Sequence, residues 1–272
     1  MNPTRPTEVR DLLRRLDFKP SRVLGQNFLI DGNILRIMLD AAELTPADKV
    51  LEVGPGLGVL TAPLLERAGH VLAIEKDDVL HAHIQQTLGG APNFTLIHGD
   101  ALHENLPAHL ARGINKVVAN LPYSVGTRIL VDLCHAEARP ERMVVTVQRE
   151  VADRMTASPN TKDYGVLSVF AQADYKSSLH KAIAHSCFFP VPQIESAIVL
   201  LVRQPRACPA RDERHFRALV KRCFEQRRKQ IHSLVKDAPA LERAGLDPKQ
   251  RPETLSVDDW IRLSNELSLA AQ

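Results

Sequence analysis

Several features are scarce in these 272 residues, and each scarcity excludes something. No apolar run is long enough to span a bilayer, so a membrane-crossing helix is not expected. The first twenty residues, Met1 to Pro20, are charged and lack the apolar core of a secretion signal. The four cysteines, Cys134, Cys187, Cys208 and Cys223, form no CxxC pair. That spacing argues against zinc and predicts free thiols in a cytoplasmic protein. Eleven histidines show no ligand spacing either, so no metal is expected. Internal repeats and low-complexity tracts are absent.

What is present suits a folded protein with a substantial core. A hydrophobic content of 44% over this length can bury a sizeable core, enough for two domains. The net charge of +3 is unevenly spread. Residues 1–202 carry 20 Lys and Arg against 22 Asp and Glu, whereas residues 203–272 carry 15 against 10. A basic tail on a near-neutral body fits a polyanion-binding appendage as well as a solvated helix face.

Short β-branched runs at 49–53, 71–74, 94–97, 116–119 and 143–147 alternate with amphipathic stretches at 60–68 and 77–88. That alternation predicts an α/β fold with a mainly parallel sheet. Further strands are expected at 177–184 and 197–202, and a helix at 33–42 capped by Asp31. Past Val202, Pro205 and Pro209 mark a linker, followed by helices at about 213–224, 226–235 and 257–267. The expected domains are therefore residues 1–202, Rossmann-like, and residues 203–272, all-helical.

Leu51-Glu52-Val53-Gly54-Pro55-Gly56-Leu57-Gly58 is a strand running into a glycine turn, where Gly54 and Gly56 let the backbone approach a ligand. Glu75 ends the second strand, placed to accept ribose hydroxyls, and Asp100 follows the third, placed to accept from an adenine amine. A dinucleotide is the obvious competitor, but its GxGxxG spacing is absent, and Pro55 removes a donor that a pyrophosphate would need. S-adenosylmethionine (SAM) has no phosphate, so for it that loss is harmless. Glu52 could touch the cofactor through water or simply close the strand, and the sequence assigns it neither role.

Asn120-Leu121-Pro122-Tyr123 follows the fourth strand and resembles the (Asp/Asn/Ser)-Pro-Pro-(Tyr/Phe) tetrapeptide of amino-methyltransferases. Adenine N6 is a poor nucleophile because its lone pair is delocalised into the ring. The Asn120 amide oxygen and the Leu121 carbonyl can accept its two N–H groups and stabilise the charge that grows during transfer. Pro122 helps aim the Leu121 carbonyl, and Tyr123 offers a face for stacking.

Three more segments occur in order with these: Leu24-Gly25-Gln26-Asn27-Phe28-Leu29, Phe188-Phe189-Pro190-Val191-Pro192-Gln193-Ile194-Glu195-Ser196 and Phe224-Glu225-Gln226-Arg227-Arg228-Lys229. The set resembles the ribosomal RNA adenine N6-dimethyltransferase family, most closely its bacterial small-subunit (16S) branch, over residues 20 to 265. Ile194 stands where that family usually has Val, and Phe189 blurs the register of the motif aromatic. Counting back from Pro190, Pro192 and Ser196 favours Phe188.

The resemblance implies SAM held by Asn27, Leu29, Gly54, Gly56, Glu75, Asp100 and Asn120, with Phe188 stacking on the target adenine opposite Tyr123. It also implies dimethylation of two neighbouring adenosines in the 3′-terminal hairpin loop of 16S rRNA, within an immature small subunit and by a monomer. Arg227, Arg228 and Lys229 would contact RNA phosphates. Gln148-Arg149-Glu150-Val151 matches a further family segment without an evident role. Two rival readings are a large-subunit rRNA methyltransferase and a non-catalytic RNA-binding assembly factor.

Overall fold

A computed structural model describes residues 5–21 and 25–270; Leu24, which opens the first motif, lies outside them. The chain forms two compact units, Met1–Ala152 with Ser178–Arg203, and Asp153–Ser177 with Gln204–Gln272.

The first unit begins with α1 (Pro6–Arg15), β1 (Phe28–Leu29) and α2 (Gly32–Ala42). Asp31 caps α2 by accepting from the Asn33 and Ile34 amides. Then come β2 (Lys49–Val53), α3 (Thr61–Arg67), β3 (His70–Glu75), α4 (Asp78–Leu88), β4 (Phe94–His98), α5 (Leu106–Leu110), β5 (Lys116–Asn120), α6 (Gly126–His135) and β6 (Arg142–Gln148). Two helices, α7 (Arg149–Thr156) and α8 (Val166–Gln172), precede β7 (Tyr175–Ile183), β8 (Phe188–Phe189) and β9 (Ser196–Arg203).

Seven strands make one sheet in the order β4-β3-β2-β5-β6-β9-β7, and β1 pairs with β8 apart from it. From β4 across to β6 every pairing is parallel; β9 runs antiparallel to β6. The central strands are continuous apolar runs, such as Val117-Val118-Ala119 and Met143-Val144-Val145, because both of their faces are buried. The chain leaves β2 toward β3 and β4, then returns on the other side to β5. That reversal opens a crevice beyond the carboxyl ends of β2 and β5, where ligands of such sheets bind.

Helix α1 was not anticipated from the pattern. Its buried face, Val9, Leu12 and Leu13, packs with Phe28, Ile30, Leu57, Val59 and Leu80, which flank the glycine turn. At about 1.5–3 kcal/mol for each apolar side chain buried, this contact is enough to hold a ten-residue helix that would be marginal alone.

The second unit adds α9 (Glu213–Phe224), α10 (Ile231–Val235), α11 (Ala238–Arg243) and α12 (Val257–Ala270). Its core holds Tyr164, Phe170, Phe216 and Trp260, all buried. The Tyr164 hydroxyl donates to the Leu255 carbonyl at 2.8 Å, and the Phe170 and Phe216 rings lie 6.4 Å apart. Arg206 bridges Asp174 and Glu213. These contacts explain why residues 153–177 group with the helical unit rather than with residues 1–152, a split that a single cut at residue 203 misses.

The helix expected over 226–235 is also corrected: residues 225–229 form turns, and only Ile231–Val235 is helical. Between Phe224 and Ile231 every side chain is polar, so a helix there would have no apolar face to bury.

Candidate active site

The turn after β2 is held by a partner from the next strand. Glu75, at the end of β3, accepts from the Gly56 amide and from the Asp77 amide, each at 3.0 Å. Gly56 has φ +58°, and a Cβ there would sit 3.1 Å from the Phe28 ring. A side chain at 56 would therefore strain the backbone and collide with Phe28 before it met any ligand. Burial raises the Glu75 carboxyl above its ordinary range, against the two amides that favour its charge. Asp100, after β4, accepts from Lys76 at 2.8 Å and from the Leu102 amide at 2.9 Å, and these bonds lower its pKa.

On the other side of the crevice, Asn120 ends β5. Its Nδ2 donates to the Asn27 carbonyl at 2.8 Å, and its Oδ1 accepts from the Thr146 hydroxyl on β6. Because a carbonyl can only accept, the Asn27 contact fixes which way the amide points. Asn27 in turn donates to the Gly25 carbonyl at 3.2 Å. Gly25, at φ +66°, packs so tightly that a Cβ would lie 2.9 Å from the Tyr123 and Ser124 amides. The N-terminal segment thus lies directly on the Asn120–Tyr123 turn, a contact between residues nearly a hundred positions apart.

Asn27, Leu29, Gly54, Gly56, Glu75, Asp100, Asn120 and Leu121 line one cleft. Glu52 and Asp77 complete an acidic lining in which Lys76 is the basic member, already engaged by Asp100. The Gly56 amide, which a pyrophosphate would need, is held by Glu75. Such a cleft disfavours a dinucleotide and fits SAM, which carries a sulfonium and an ammonium group and no phosphate.

Tyr123 and Phe188 stand beside the cleft without lining it. Their ring centroids are 6.4 Å apart at 74°, edge to face, and the Tyr123 hydroxyl bonds Ser196 Oγ. A base sandwiched between two rings needs them parallel and about 7 Å apart, twice the ordinary carbon contact distance. The expected clamp is therefore not formed in this arrangement. Phe188 is only 1% exposed, in the core with Leu29, its partner in the β1–β8 pair. Phe189 is half-buried, beneath the guanidinium of Arg10 at 5.2 Å.

The three cations of the second unit differ from one another. Arg227 is bound to Glu253 and donates to the Lys162 and Thr161 carbonyls at 2.8 and 2.9 Å, so it braces its own unit. Arg228 and Lys229 are exposed. His98 pairs with Asp78 at 2.9 Å and His103 is 84% exposed, neither lining the cleft. Thr146 and Lys76 support the site without any local signal in the sequence, whereas Ser196 closes the motif that begins at Phe188.

Among known proteins, the family model for ribosomal RNA adenine dimethylase matches residues 18–269. The ribosomal RNA small subunit methyltransferase A of Opitutus terrae is 42% identical, over 96% of this chain and 98% of its own. A dimethyladenosine transferase from Plasmodium falciparum has the same fold, with TM-score 0.79 at 22% identity, over 90% of this chain and 98% of that one. The 23S rRNA methyltransferase ErmE superposes with TM-score 0.67 at 28% identity, over 89% of this chain and 99% of its own. With this match spanning both units, the chain belongs to the ribosomal RNA adenine dimethylase family of SAM-dependent methyltransferases.

Proposed function

We infer that the protein dimethylates the N6 amines of two adjacent adenosines in the 3′-terminal hairpin loop of 16S rRNA, in a small subunit still being assembled. It works in the cytoplasm as a monomer and without a metal. The observation that supports this most is that Asn120, Leu121 and Pro122 share one acidic cleft with Glu75 and Asp100. The identity to a small-subunit methyltransferase, higher than that to ErmE, favours the small subunit as substrate.

Glu75 would hold the ribose hydroxyls and Asp100 the adenine amine of the cofactor, with Gly54 and Gly56 admitting it and Asn27 and Leu29 completing its site. When bound, SAM supplies an electrophilic methyl group on sulfur. Asn120 Oδ1, with one lone pair on Thr146, turns the other to the target amine, and the Leu121 carbonyl takes its second N–H. With the methyl group supplied, the surplus proton would pass from N6 to water, so no His or carboxylate base is needed. Each adenosine leaves its stack to reach this point. Tyr123 receives the base on its face, and Phe188 completes the clamp when the two rings turn parallel. The RNA-binding part is the C-terminal segment of the helical unit, within the expected 203–272 domain: Arg228 and Lys229 contact phosphate directly, with Arg227 fixing the turn that carries them.

Incubating the protein with labelled SAM and with small or large subunits lacking the modification tests this reading. Two neighbouring dimethyladenosines in the 3′-terminal fragment of small-subunit rRNA are expected by mass spectrometry. Label in the large subunit alone would overturn it.

A further inference from the structure

The Tyr123 hydroxyl is bonded to Ser196, and nothing in the chemistry above uses that bond. Ser196 opens β9, is 1% exposed and pairs in register with Gln148 of β6, so the sheet fixes where its hydroxyl sits. The other end of Tyr123 is fixed as well. Gly25 lies against its amide so closely that a Cβ would come within 2.9 Å. The turn that carries it is closed by the Val125 and Gly126 amides, which donate to the Pro122 carbonyl at 3.2 and 2.8 Å. Phe188, opposite, is 1% exposed and packed in the core with Leu29, whereas Tyr123 is only half-buried. Of the two rings, Tyr123 is the one with room to turn.

A tyrosine held at its backbone and at its hydroxyl keeps one easy motion. Its Cβ, ring centroid and hydroxyl oxygen lie on one line, and the ring can turn about that line, its broad χ2 torsion, without moving either end. Such a turn changes the angle between the Tyr123 and Phe188 rings, now 74°, and leaves their centroids 6.4 Å apart. That separation is close to what a base between two rings requires, about 7 Å. Without the bond to Ser196, rotation about χ1 would swing the whole ring aside and the spacing would be lost. We propose that Ser196 is a positioning residue for methyl transfer: it holds the Tyr123 hydroxyl as a pivot, so that the ring turns in place to receive the target adenine. This rests on Tyr123 and Phe188 receiving the base, as inferred above. The pivot matters most in the second transfer, because a monomethylated amine has one N–H fewer for Asn120 and Leu121 to hold and depends more on stacking.

Single-turnover methylation of small subunits lacking the modification, with mono- and dimethyladenosine counted separately by mass spectrometry, tests the pivot. Ser196→Ala and Tyr123→Phe each remove one partner of the bond and leave both rings in place. Each should slow the second transfer by about three- to ten-fold and the first by less, so that monomethyladenosine accumulates. SAM affinity should be unchanged in both. The double variant should be no slower than either single one, because the two substitutions remove the same bond. Tyr123→Ala, which removes the ring itself, should be slower than all three. Wild-type product ratios in Ser196→Ala, with Tyr123→Ala impaired, overturn the pivot alone. Losses that add in the double variant overturn it too, since the two hydroxyls would then act separately. So does an equal fall in both transfers in Ser196→Ala, which would mark a purely structural role. If Tyr123→Ala methylates at the wild-type rate, the base does not stack on Tyr123, and the reading beneath the proposal fails with it.

Discussion

In the α/β unit, Gly56 donates to Glu75, Asn120 donates to Asn27, and Thr146 donates to Asn120. In the helical unit, Arg227, Arg228 and Lys229 are neighbours in sequence, but only Arg227 is tied into the unit by an ion pair and two carbonyls. Both regions announce themselves as short motifs. The cleft motifs name residues that hold one another, so each motif is evidence of the others' positions. A run of cations has no such mutual constraint: one member became part of the scaffold and two were left to solvent.

If the cleft is preorganised in this way, its members should fail steeply. Asn120→Ala removes an acceptor aimed at a developing charge, a loss of about 2.7–4 kcal/mol, or 10²–10³ in rate. Single-turnover methylation with saturating SAM measures it, and a wild-type rate would show that the amide does not serve the amine.

Glu75→Ala deprives the cofactor of its ribose acceptor and leaves the Gly56 and Asp77 amides without their partner. SAM affinity should fall by about 1.5–3 kcal/mol, read by calorimetry with circular dichroism confirming the fold. Retained affinity would mean that the turn does not depend on its carboxylate.

Glu52 sharpens the comparison from the opposite side, because it is 1% exposed and its Oε2 has no hydrogen-bond partner among the described residues. Its folded pKa of about 8 lies above the ordinary 4.5, so the native state holds a proton that the unfolded chain gives up. Its contribution to the stability of the cofactor-free protein is full below pH 4.5 and is lost as pH rises to about 8. Urea unfolding on either side of that window should show Glu52→Gln gaining about 1–3 kcal/mol on wild type at the alkaline end. Parallel pH profiles for the two proteins would contradict this.

The smallest effects belong to the basic turn and should split its three cations. Arg227→Ala should lower the melting temperature by about 2–4 °C through the lost bracing. Replacing Arg228 and Lys229 together should leave melting unchanged and reduce the slope of log affinity against log salt by about 2. A reversed pattern would exchange the roles given to them.

The sequence by itself determined what depends on neighbours a few residues away. The five parallel-sheet strands, the Asp31 cap, helix α9 and the glycine turn follow from apolar periodicity, side-chain capping and backbone freedom, all of them local. Membership of the cleft was equally legible for Glu75, Asp100 and Asn120, since they end or directly follow parallel strands and such ends converge at one edge. Tertiary structure alone decided the rest. The direction of the Asn120 amide depends on Asn27 and Thr146, the tilt of Tyr123 against Phe188 on the packing of β8 with β1, and the placement of residues 153–177 on aromatic contacts with α9 and α12. Whether Glu52 has a partner, and which arginine is free to meet RNA, likewise turn on groups tens of residues distant. A local pattern carries no information about burial or pairing at that range, which is why those residues could be named from the sequence but not assigned.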